Sequence, residues 1–340
     1  MRLLIFTQKV NKNDSVLGFF HTWITEIAKR TESVTVICLG KGDFDLPKNV
    51  MVYSLGKEAG ISKLSLLRNL YKYLFLVRGS YDKVFVHMNQ EYVLFAGLYW
   101  KLKNIPVYMW RNHPRGNILT RMAVSLSTKI FCTSKASFSA RFKKTVIMPA
   151  GIDTNIFKPS EEVIRKKYSV CMVGRISPIK HVQLALEAIN KLVSSGFQIS
   201  LNIIGSPTNK DLQYYDSLKK YVAEHNLSNS ISFSPAVTFD KLSEIYNSHE
   251  ICLNLTESGS FDKTIVESAA CGAIPLVSNI SLKDLLPKEC ITGRTPETVS
   301  VSLQQLLQAH TQVEIQEKLK SFVKSQSLDT LLEKLFKEIQ

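Results

Sequence analysis

Short apolar runs alternate with longer amphipathic stretches along the whole chain. In the first half, runs of strand length lie at residues 2–7, 33–39, 50–54, 83–87, 106–110, 129–132 and 145–148. Helical spacing marks the stretches near 18–30, 63–78, 91–103, 117–127 and 135–142. Alternation of strands and helices predicts a parallel sheet that is covered by helices on both faces.

The second half of the chain repeats this pattern. Its strand-length runs lie at 168–173, 198–204, 230–234, 250–254 and 274–277, with helical stretches at 180–195, 209–225, 239–247 and 263–271. Pro159 and Ser160 interrupt the pattern between the halves, and a polar stretch follows at 161–167. We predict an α/β protein with two Rossmann-like, doubly wound domains, 1–160 and 161–325, facing across a cleft. Residues 326–340 are expected to form a helix that packs back on the N-terminal domain.

Length and composition are those of a globular protein with more than one domain. The 340 residues are too many for one ordinary core and fit two domains. No apolar run reaches the ~20 residues that span a bilayer, and the N-terminal apolar run is too short for a signal peptide. We therefore expect a cytoplasmic protein. The six cysteines form no C-x-x-C pair, which favours buried reduced thiols over a zinc site or disulfides.

The positive charge is concentrated in the first half of the chain. The net charge is +14. Residues 1–167 carry 27 Lys and Arg against 11 Asp and Glu, whereas the remaining residues carry 16 against 18. This asymmetry indicates that the N-terminal half meets an anionic partner, such as a membrane surface or a phosphorylated substrate. The alternative is a solvated basic surface without a partner.

One basic segment of this half is also rich in large apolar residues. Residues 63–78 read KLSLLRNLYKYLFLVR, with basic side chains interspersed among Leu, Tyr and Phe. The segment can be an amphipathic helix that touches an anionic membrane. It can equally be a helix packed on its sheet with snorkelling basic side chains. The two interpretations do not exclude each other.

The first motif of chemical interest follows the first strand of the second half. An apolar strand runs into Gly174 and Arg175, and Lys180 opens the next helix. Gly174 lets the backbone approach a ligand closely. Arg175 offers a bidentate fork and Lys180 a mobile point charge, so both can neutralise a diphosphate. A plain surface loop would give the same local pattern.

The second motif is a Gly/Ser-rich loop that opens a helix at 263–271. The loop follows the strand at 250–254, and free N–H groups at the positive end of the helix would suit a diphosphate. Glu267 falls about one turn into that helix, where its carboxylate can accept hydrogen bonds from a ribose diol. The loop residues expected to bind the donor are Glu257, Gly259, Ser260, Phe261, Asp262, Lys263 and Thr264.

Together these motifs resemble those of the family 4 retaining glycosyltransferases of the GT-B fold, the glycosyl transferases group 1. Gly174, Arg175 and Lys180 match that family's G-R-x-x-x-x-K turn. Its E-x7-E motif is matched by Phe261, Glu267, Ala270, Gly272 and Pro275. The stretch from Met148 to Pro159 is similar to the family's segment at the domain junction. The resemblance covers nearly the whole chain.

The resemblance implies an activity and a division of roles. It implies a hexosyltransferase that moves a sugar from a UDP- or GDP-sugar to an acceptor hydroxyl with retention, in surface polysaccharide or glycolipid assembly. Arg175, Lys180 and Glu267 would act on the donor in the C-terminal domain. His113 would help to place the transferred sugar, and Gly18 would lie near the donor phosphates. The N-terminal domain would bind a glycan or lipid-linked acceptor, at the inner face of a membrane if that acceptor is a lipid.

The chain departs from the family at one position. Gly259 stands where the first Glu of E-x7-E is expected, so Glu257 or Asp262 would have to take over the contact with the donor sugar. This departure keeps open the alternative of a non-catalytic sugar-nucleotide-binding protein. A GT-B-like sugar-nucleotide epimerase is a second alternative, because such enzymes share the fold. A nucleic-acid-binding protein would fit the basic charge, but the sequence has none of the known binding motifs and we expect no nucleic acid.

No metal or cofactor is expected. Asp43, Phe44 and Asp45 form a D-x-D sequence of the kind that binds a divalent cation in the other main glycosyltransferase fold. A three-residue match arises easily by chance, and this one precedes Pro47 without supporting context, so a solvated loop is the better interpretation. Cationic side chains and helix dipoles would replace the metal. The nucleotide-sugar is a substrate and not a cofactor.

Overall fold

In the computed structural model of the protein, the described residues are 1–258, 261–308 and 312–340. They form two compact units, one comprising Met1–Gly151 and Leu328–Gln340 and the other Ile152–Ser258 and Asp262–Ser327. Each unit is a parallel sheet with helices, as the alternating pattern predicts. Within the described part of the chain, no helix is long and apolar enough to cross a bilayer.

The first unit is built on a parallel sheet of seven strands among the described residues, in the order β3-β2-β1-β4-β5-β6-β7. The strands are β1 Arg2–Val10, β2 Ser33–Lys41, β3 Val50–Ser54, β4 Lys83–His87, β5 Val107–Trp110, β6 Lys129–Cys132 and β7 Thr145–Ile147. Its helices are α1 Gly18–Ala28, α2 Lys63–Leu76, α3 Gln90–Leu102, α4 Ile118–Leu126 and the C-terminal α11 Leu328–Ile339. The strands are near-continuous apolar runs because helices cover both of their faces.

The two faces of this sheet have separate helix layers. Leu70 of α2, Ala96 of α3 and Val124 of α4 share one core cluster with Leu4 and Val86 of the sheet. Successive strand side chains point to opposite faces, so Phe85 and Trp110 lie on the other face. There Trp23 of α1 packs edge-to-face on Trp110 with ring centroids 5.1 Å apart. The Tyr108 hydroxyl donates to the Ile339 carbonyl of α11 at 3.5 Å on the same face.

The second unit contains a parallel sheet of five strands, counted over the described residues, in the order β10-β9-β8-β11-β12. The strands are β8 Ser169–Val173, β9 Ser200–Ile204, β10 Ile231–Ser234, β11 Ile251–Asn254 and β12 Ile274–Val277. The helices are α5 Val182–Ser194, α6 Leu212–Glu224, α7 Leu242–Asn247, α8 Lys263–Ala270, α9 Pro296–Gln308 and α10 Gln312–Ser325. The chain runs from β8 to β9 and β10 on one side and then returns to β11 and β12 on the other.

The boundary between the units lies at residues 151 and 152, earlier than the expected boundary at 160 and 161. Residues 152–160 are tied to the second unit. The Asn247 side chain donates to the Lys158 carbonyl at 3.0 Å and accepts from the Ser160 N–H at 2.8 Å. Phe157 is 1% exposed and packs against Phe239 with ring centroids 5.1 Å apart. The polar stretch that suggested a linker therefore lies inside the second unit.

Two other local differences from the sequence pattern have a physical cause. The helix predicted at 135–142 is only a short 3-10 turn at Phe138–Arg141. Serine side chains bond to nearby backbone there, and Ser134 Oγ accepts from the Ala136 N–H at 3.1 Å, which competes with helix formation. Helices α9 and α10 occupy a stretch for which no element was predicted.

Candidate active site

The strand order of the second unit places its two motifs next to each other. The order reverses between β8 and β11, which are neighbours in the sheet. Loops that leave the carboxyl ends of two such strands diverge and leave a crevice between them, where ligands of doubly wound sheets bind. The loop after β8 carries Gly174, Arg175 and Lys180, and the loop after β11 leads to α8 and Glu267.

Backbone contact between two glycines shapes the first loop. Gly174 has φ 139° and Gly205, directly after β9, has φ 156°. A Cβ on Gly205 would lie 1.9 Å from the Gly174 carbonyl oxygen, so no larger residue fits there. The Gly174 N–H donates to the Ile204 carbonyl at 3.0 Å, and the Ile176 N–H donates to the Ser206 carbonyl at 3.2 Å. The loop is thereby fixed against the end of β9, a role for Gly205 that the sequence analysis missed.

Lys180 and Asp262 form an ion pair that joins the two loops. The Lys180 ammonium contacts Asp262 Oδ2, and the side chains of the two residues are 21% and 19% exposed. Burial works to raise the pKa of Asp262, but the Lys180 charge and several hydrogen bonds leave that pKa below its ordinary value. Asp262 was predicted to bind the donor. In the structure, its carboxylate holds a cation in place.

Two polar residues that the sequence analysis did not single out complete this network. Asn254, the last residue of β11, donates from Nδ2 to Asp262 Oδ2 at 3.0 Å and to Thr264 Oγ1 at 3.0 Å. The Thr256 hydroxyl donates to Asp262 Oδ2 at 3.4 Å. Asn254 is 5% exposed. A polar residue at the end of an otherwise apolar strand was the available signal, since buried polar groups need partners.

Glu267 lies one turn into α8 and is 4% exposed. The hydroxyl of Tyr246, which is fully buried on α7, donates to Glu267 Oε2 at 3.0 Å. Burial raises the pKa of Glu267, although the nearby Lys263 charge and the Tyr246 hydrogen bond oppose that rise. Burial lowers the pKa of Lys263 in turn. The Tyr246 hydroxyl therefore orients one carboxylate oxygen of Glu267, and the carboxyl group lies in a low-dielectric environment.

A second polar cluster surrounds Glu257. Arg294 Nη2 lies 3.0 Å from Glu257 Oε1 and 2.6 Å from His181 Nε2. A guanidinium only donates hydrogen bonds, so His181 Nε2 must accept and its ring is neutral. Burial, followed by the Arg294 charge, lowers the pKa of His181, in agreement with this assignment. Glu257, predicted to bind the donor, contacts a basic side chain.

A pocket lies between the two loops. It is lined by Gly174, Arg175, Lys180, Val182, Asn254 and Thr256 together with apolar side chains of the sheet. Arg175 is exposed. Within the described part of the chain, no hydrogen bond or ion pair is recorded for its guanidinium. The pocket thus carries one paired and one unpaired cation and two side chains that can donate hydrogen bonds.

The remaining predicted site residues lie elsewhere or outside the described residues. Gly18 is the first residue of α1 in the first unit and is buried. His113 is exposed in the same unit, and its Nδ1 lies 2.8 Å from the Arg115 carbonyl oxygen and 3.0 Å from the Arg115 backbone nitrogen. Phe261 is 8% exposed. Gly259 and Ser260 fall outside the described residues.

The residues of the D-x-D sequence have protein partners. Asp43 Oδ2 accepts from Asn13 Nδ2 at 3.2 Å, and the Asp45 N–H donates to His21 Nε2 at 3.1 Å. Across the described ranges, no group of three or more His, Cys, Asp and Glu side chains is arranged to hold a metal ion.

Comparison with solved structures defines the class of fold. The chain is similar over 100% of its length to Anabaena HepE, a structure in complex with UDP and glucose, with a TM-score of 0.80 and 16% identity over 99% of that chain. It is similar over 98% of its length to WaaG, a glycosyltransferase involved in lipopolysaccharide biosynthesis, with a TM-score of 0.68 and 14% identity over 98% of that chain. The chain has the GT-B fold.

A family model and several curated proteins match part of the chain. Residues 153–284 match the sequence model of the family described as glycosyl transferases group 1. The D-inositol 3-phosphate glycosyltransferase of Acidothermus cellulolyticus is 27% identical over 144 residues, 39% of this chain and 32% of that protein. The Mycolicibacterium smegmatis protein of the same name is 29% identical over 146 residues, 41% of this chain and 32% of that protein. The matched region thus spans about a third of the length of these relatives.

Proposed function

We propose that the protein is a glycosyltransferase that moves a sugar from a UDP- or GDP-sugar to an acceptor hydroxyl. The observation that carries this proposal is the crevice between β8 and β11, where Arg175 and the Lys180–Asp262 pair meet the start of α8. The match of residues 153–284 to a glycosyltransferase family and the likeness to a protein crystallised with UDP support it.

We propose that catalysis is mainly electrostatic. Negative charge grows on the leaving diphosphate as the bond to the sugar breaks, and fixed positive groups stabilise that charge most strongly in a water-poor crevice. Arg175, Lys180 and the amino end of α8 supply such groups. We propose that they replace a metal ion and that the protein uses no cofactor. The transition state would resemble an oxocarbenium ion and transfer would retain the configuration at the anomeric carbon.

Asp262 would set the position of Lys180 in this reaction. A lysine side chain is mobile, and the Asp262 carboxylate restricts its ammonium to the side of the crevice that faces α8. The hydrogen bonds from Asn254 and Thr256 hold the carboxylate in turn. Glu267 would accept hydrogen bonds from the ribose diol with the oxygen atoms that Tyr246 does not occupy. Gly259, Ser260, Phe261, Lys263 and Thr264 would complete the donor site.

The first unit would bind the acceptor. We propose that Gly18 approaches the donor phosphates and that His113 helps to place the transferred sugar. The Arg115 backbone occupies Nδ1 of the His113 ring, which leaves Nε2 to meet a sugar oxygen. The basic charge of this unit suits an acceptor that carries phosphate, such as a lipid-diphosphate-linked glycan in surface polysaccharide assembly. An enzyme acting on that acceptor would work in the cytoplasm at the inner membrane face.

A donor screen tests the proposal. Thermal unfolding is measured with UDP-, GDP- and ADP-sugars, because a ligand that binds only the folded state raises its stability by mass action. We expect one nucleotide class to raise Tm for the wild type and the rise to be largely lost in Lys180→Ala. Lys220→Ala, an exposed lysine on α6, is the control and should behave as the wild type.

The product of the preferred donor separates the alternatives. Transfer to water or to a glycan acceptor with retained configuration supports the proposal. An epimerised nucleotide-sugar formed without acceptor would make the protein an epimerase. Donor binding without turnover across a panel of acceptors would make it a sugar-nucleotide-binding protein. No Tm rise with any nucleotide-sugar would contradict the donor site itself.

A further inference from the structure

The outer sides of three neighbouring helices in the first unit form one continuous surface. Helices α2, α3 and α4 all pack on the same sheet face through the core cluster described above. Helix α2 touches α3 where the Tyr71 hydroxyl donates to the Phe95 carbonyl at 3.4 Å. Helix α3 touches α4 closely, because a Cβ on Gly97 would lie 3.0 Å from the Leu126 Cβ. We call the exposed side chains of these helices the three-helix face.

The three-helix face is unusually apolar for a surface exposed to water. The exposed large apolar side chains on it are Leu64, Tyr71, Phe75, Leu76, Phe95, Leu98, Tyr99, Leu102, Ile118, Leu119 and Met122. The described part of the chain has 22 exposed large apolar residues, and half of them lie on this face. The three helices make up only a small part of the chain. Leu64 is 77% exposed and Leu102 75%. Contiguous apolar surface of this kind marks an interaction site.

The charged residues on and beside the face are almost all basic. They are Lys63, Arg68, Lys72, Arg78, Glu91, Lys101, Lys103 and Arg121. From residue 92 to residue 152 the chain has no Asp or Glu at all. The Arg78 guanidinium lies over the Phe75 ring, 3.8 Å from its centroid, so an apolar and a cationic group are presented together.

We propose that the three-helix face binds the surface of an anionic lipid bilayer. Apolar side chains inserted at the boundary between headgroups and acyl chains, with basic side chains among them, are the combination that holds a protein on such a surface. The charge opposes the most obvious alternative occupant. A second copy of this chain, packed by two-fold symmetry, would bring the same face against itself and oppose basic side chains to basic side chains.

This inference makes the membrane contact of the proposed function specific to one surface. It rests on the proposed function in one respect only, namely that membrane binding would hold the enzyme beside a lipid-linked acceptor. Binding to vesicles needs neither donor nor acceptor. Loss of vesicle binding and loss of donor binding are therefore separate results, and either proposal can fail alone.

Vesicle co-sedimentation tests the proposal. Wild-type protein is mixed with vesicles of phosphatidylcholine alone or with about a third phosphatidylglycerol, at low and high salt. We expect binding to the anionic vesicles that weakens with salt, and at least tenfold weaker binding to the neutral ones. Each basic side chain near the surface is worth about fivefold in binding. Equal binding to both vesicle types, or none to either, would overturn the proposal.

Two variants locate the binding surface. The apolar variant is Leu64→Ser/Phe75→Ser/Leu98→Ser and the charge variant is Arg68→Glu/Lys72→Glu. All five side chains are exposed, so folding should be unaffected, which Tm measured without ligand checks. We expect each variant to lose at least tenfold in binding to anionic vesicles.

Matched variants of the second unit serve as controls. Leu212→Ser/Val301→Ser/Val313→Ser removes three exposed apolar side chains, and Lys219→Glu/Lys220→Glu reverses two exposed charges on α6. Both should bind vesicles as the wild type does. Wild-type binding by the three-helix variants, or equal losses in the controls, would overturn the assignment. So would a lipid-free wild-type dimer that the apolar variant converts to a monomer.

Discussion

The two units share a topology but differ in the charged and apolar residues on their surfaces. The first unit carries 25 Lys and Arg against 11 Asp and Glu, whereas the second carries 18 against 18. Exposed apolar side chains cover α2, α3 and α4 in the first unit. On α6 in the second unit only Leu212 is an exposed large apolar residue, and charged residues fill the outer side. The sheet fixes the scaffold, and side chains outside the core determine the partner.

The same contrast holds at the switch points of the two sheets. In the second unit, β8 and β11 end in the polar network of Lys180, Asp262 and Asn254. In the first, β4 ends in His87, which is 1% exposed and stacks on Phe20 with ring centroids 3.9 Å apart. One switch point presents cations to a crevice and the other is filled by aromatic rings. Equivalent positions of one topology are thus polar in one unit and aromatic in the other.

The largest expected effect is on the rate of sugar transfer, and it distinguishes a substitution in the second unit from substitutions in the first. Arg175→Ala should slow sugar transfer by about 100- to 1,000-fold, because it removes a fixed charge that is worth most in the transition state. Arg175 is exposed, so Tm without ligand should not change. Initial rates at saturating donor measure the effect, with the three-helix variants tested on a water-soluble acceptor as the comparison. Transfer at the wild-type rate by Arg175→Ala would remove that residue from the site.

A backbone change should show how tightly the first loop of the crevice is fixed. Gly205→Ala places a Cβ against the Gly174 carbonyl and should lower the free energy of unfolding by about 2–4 kcal/mol, with a matching loss of donor binding. Gly196→Ala is the control, since Gly196 has φ 81° but no atoms within 4 Å of the added Cβ. It should cost only about 1 kcal/mol. Similar costs for both variants would mean that the contact with Gly174 contributes nothing.

The smallest expected effect concerns Glu267 and depends on pH. Because the pKa of Glu267 is raised by burial, its contribution to stability is full below its ordinary pKa and is lost as the pH rises through the folded value. Glu267→Gln cannot ionise. Denaturant unfolding should therefore give similar stabilities near pH 4.5 and a variant that is more stable than the wild type at pH 8.

The control for this pH effect is Gln213→Ala, an exposed side chain on α6 without an ionisable group. The difference between wild type and Gln213→Ala should be the same at both pH values. The sign of the prediction would be wrong if the wild type gained stability relative to Glu267→Gln as the pH rises. The ionised carboxylate would then lie in an environment that favours its charge. Donor binding should fall in Glu267→Gln at high pH, where the wild-type carboxyl is ionised, if the carboxylate holds the ribose.

Much of the fold follows from local patterns. The strands lie within a few residues of the apolar runs, because a strand buried on both faces must be apolar along its length. The helices of the first half follow from their spacing in the same way, except at residues 135–142, where serine side chains compete for the backbone. Of the site, Gly174, Arg175, Lys180 and Glu267 could be selected because they lie where loops leave strands or helices begin.

Other features depend on contacts between residues far apart in the chain. The sequence placed Asp262 in a loop but could not show that it pairs with Lys180, and it gave no reason to single out Gly205, Tyr246 or Arg294. The amphipathic segment 63–78 was visible by itself. The sequence did not show that this segment forms one surface with α3 and α4, because strand order decides which helices lie side by side.

The sequence by itself determined the alternation of strands and helices, the two-part organisation and the uneven distribution of charge, since each is a property of composition or of short-range spacing. Tertiary structure alone decided which carboxylate meets which cation, which two glycines touch, and which apolar side chains remain exposed beside basic ones. These depend on packing between elements that are distant in sequence, where pairing follows from the shape of the folded chain and leaves no periodic pattern.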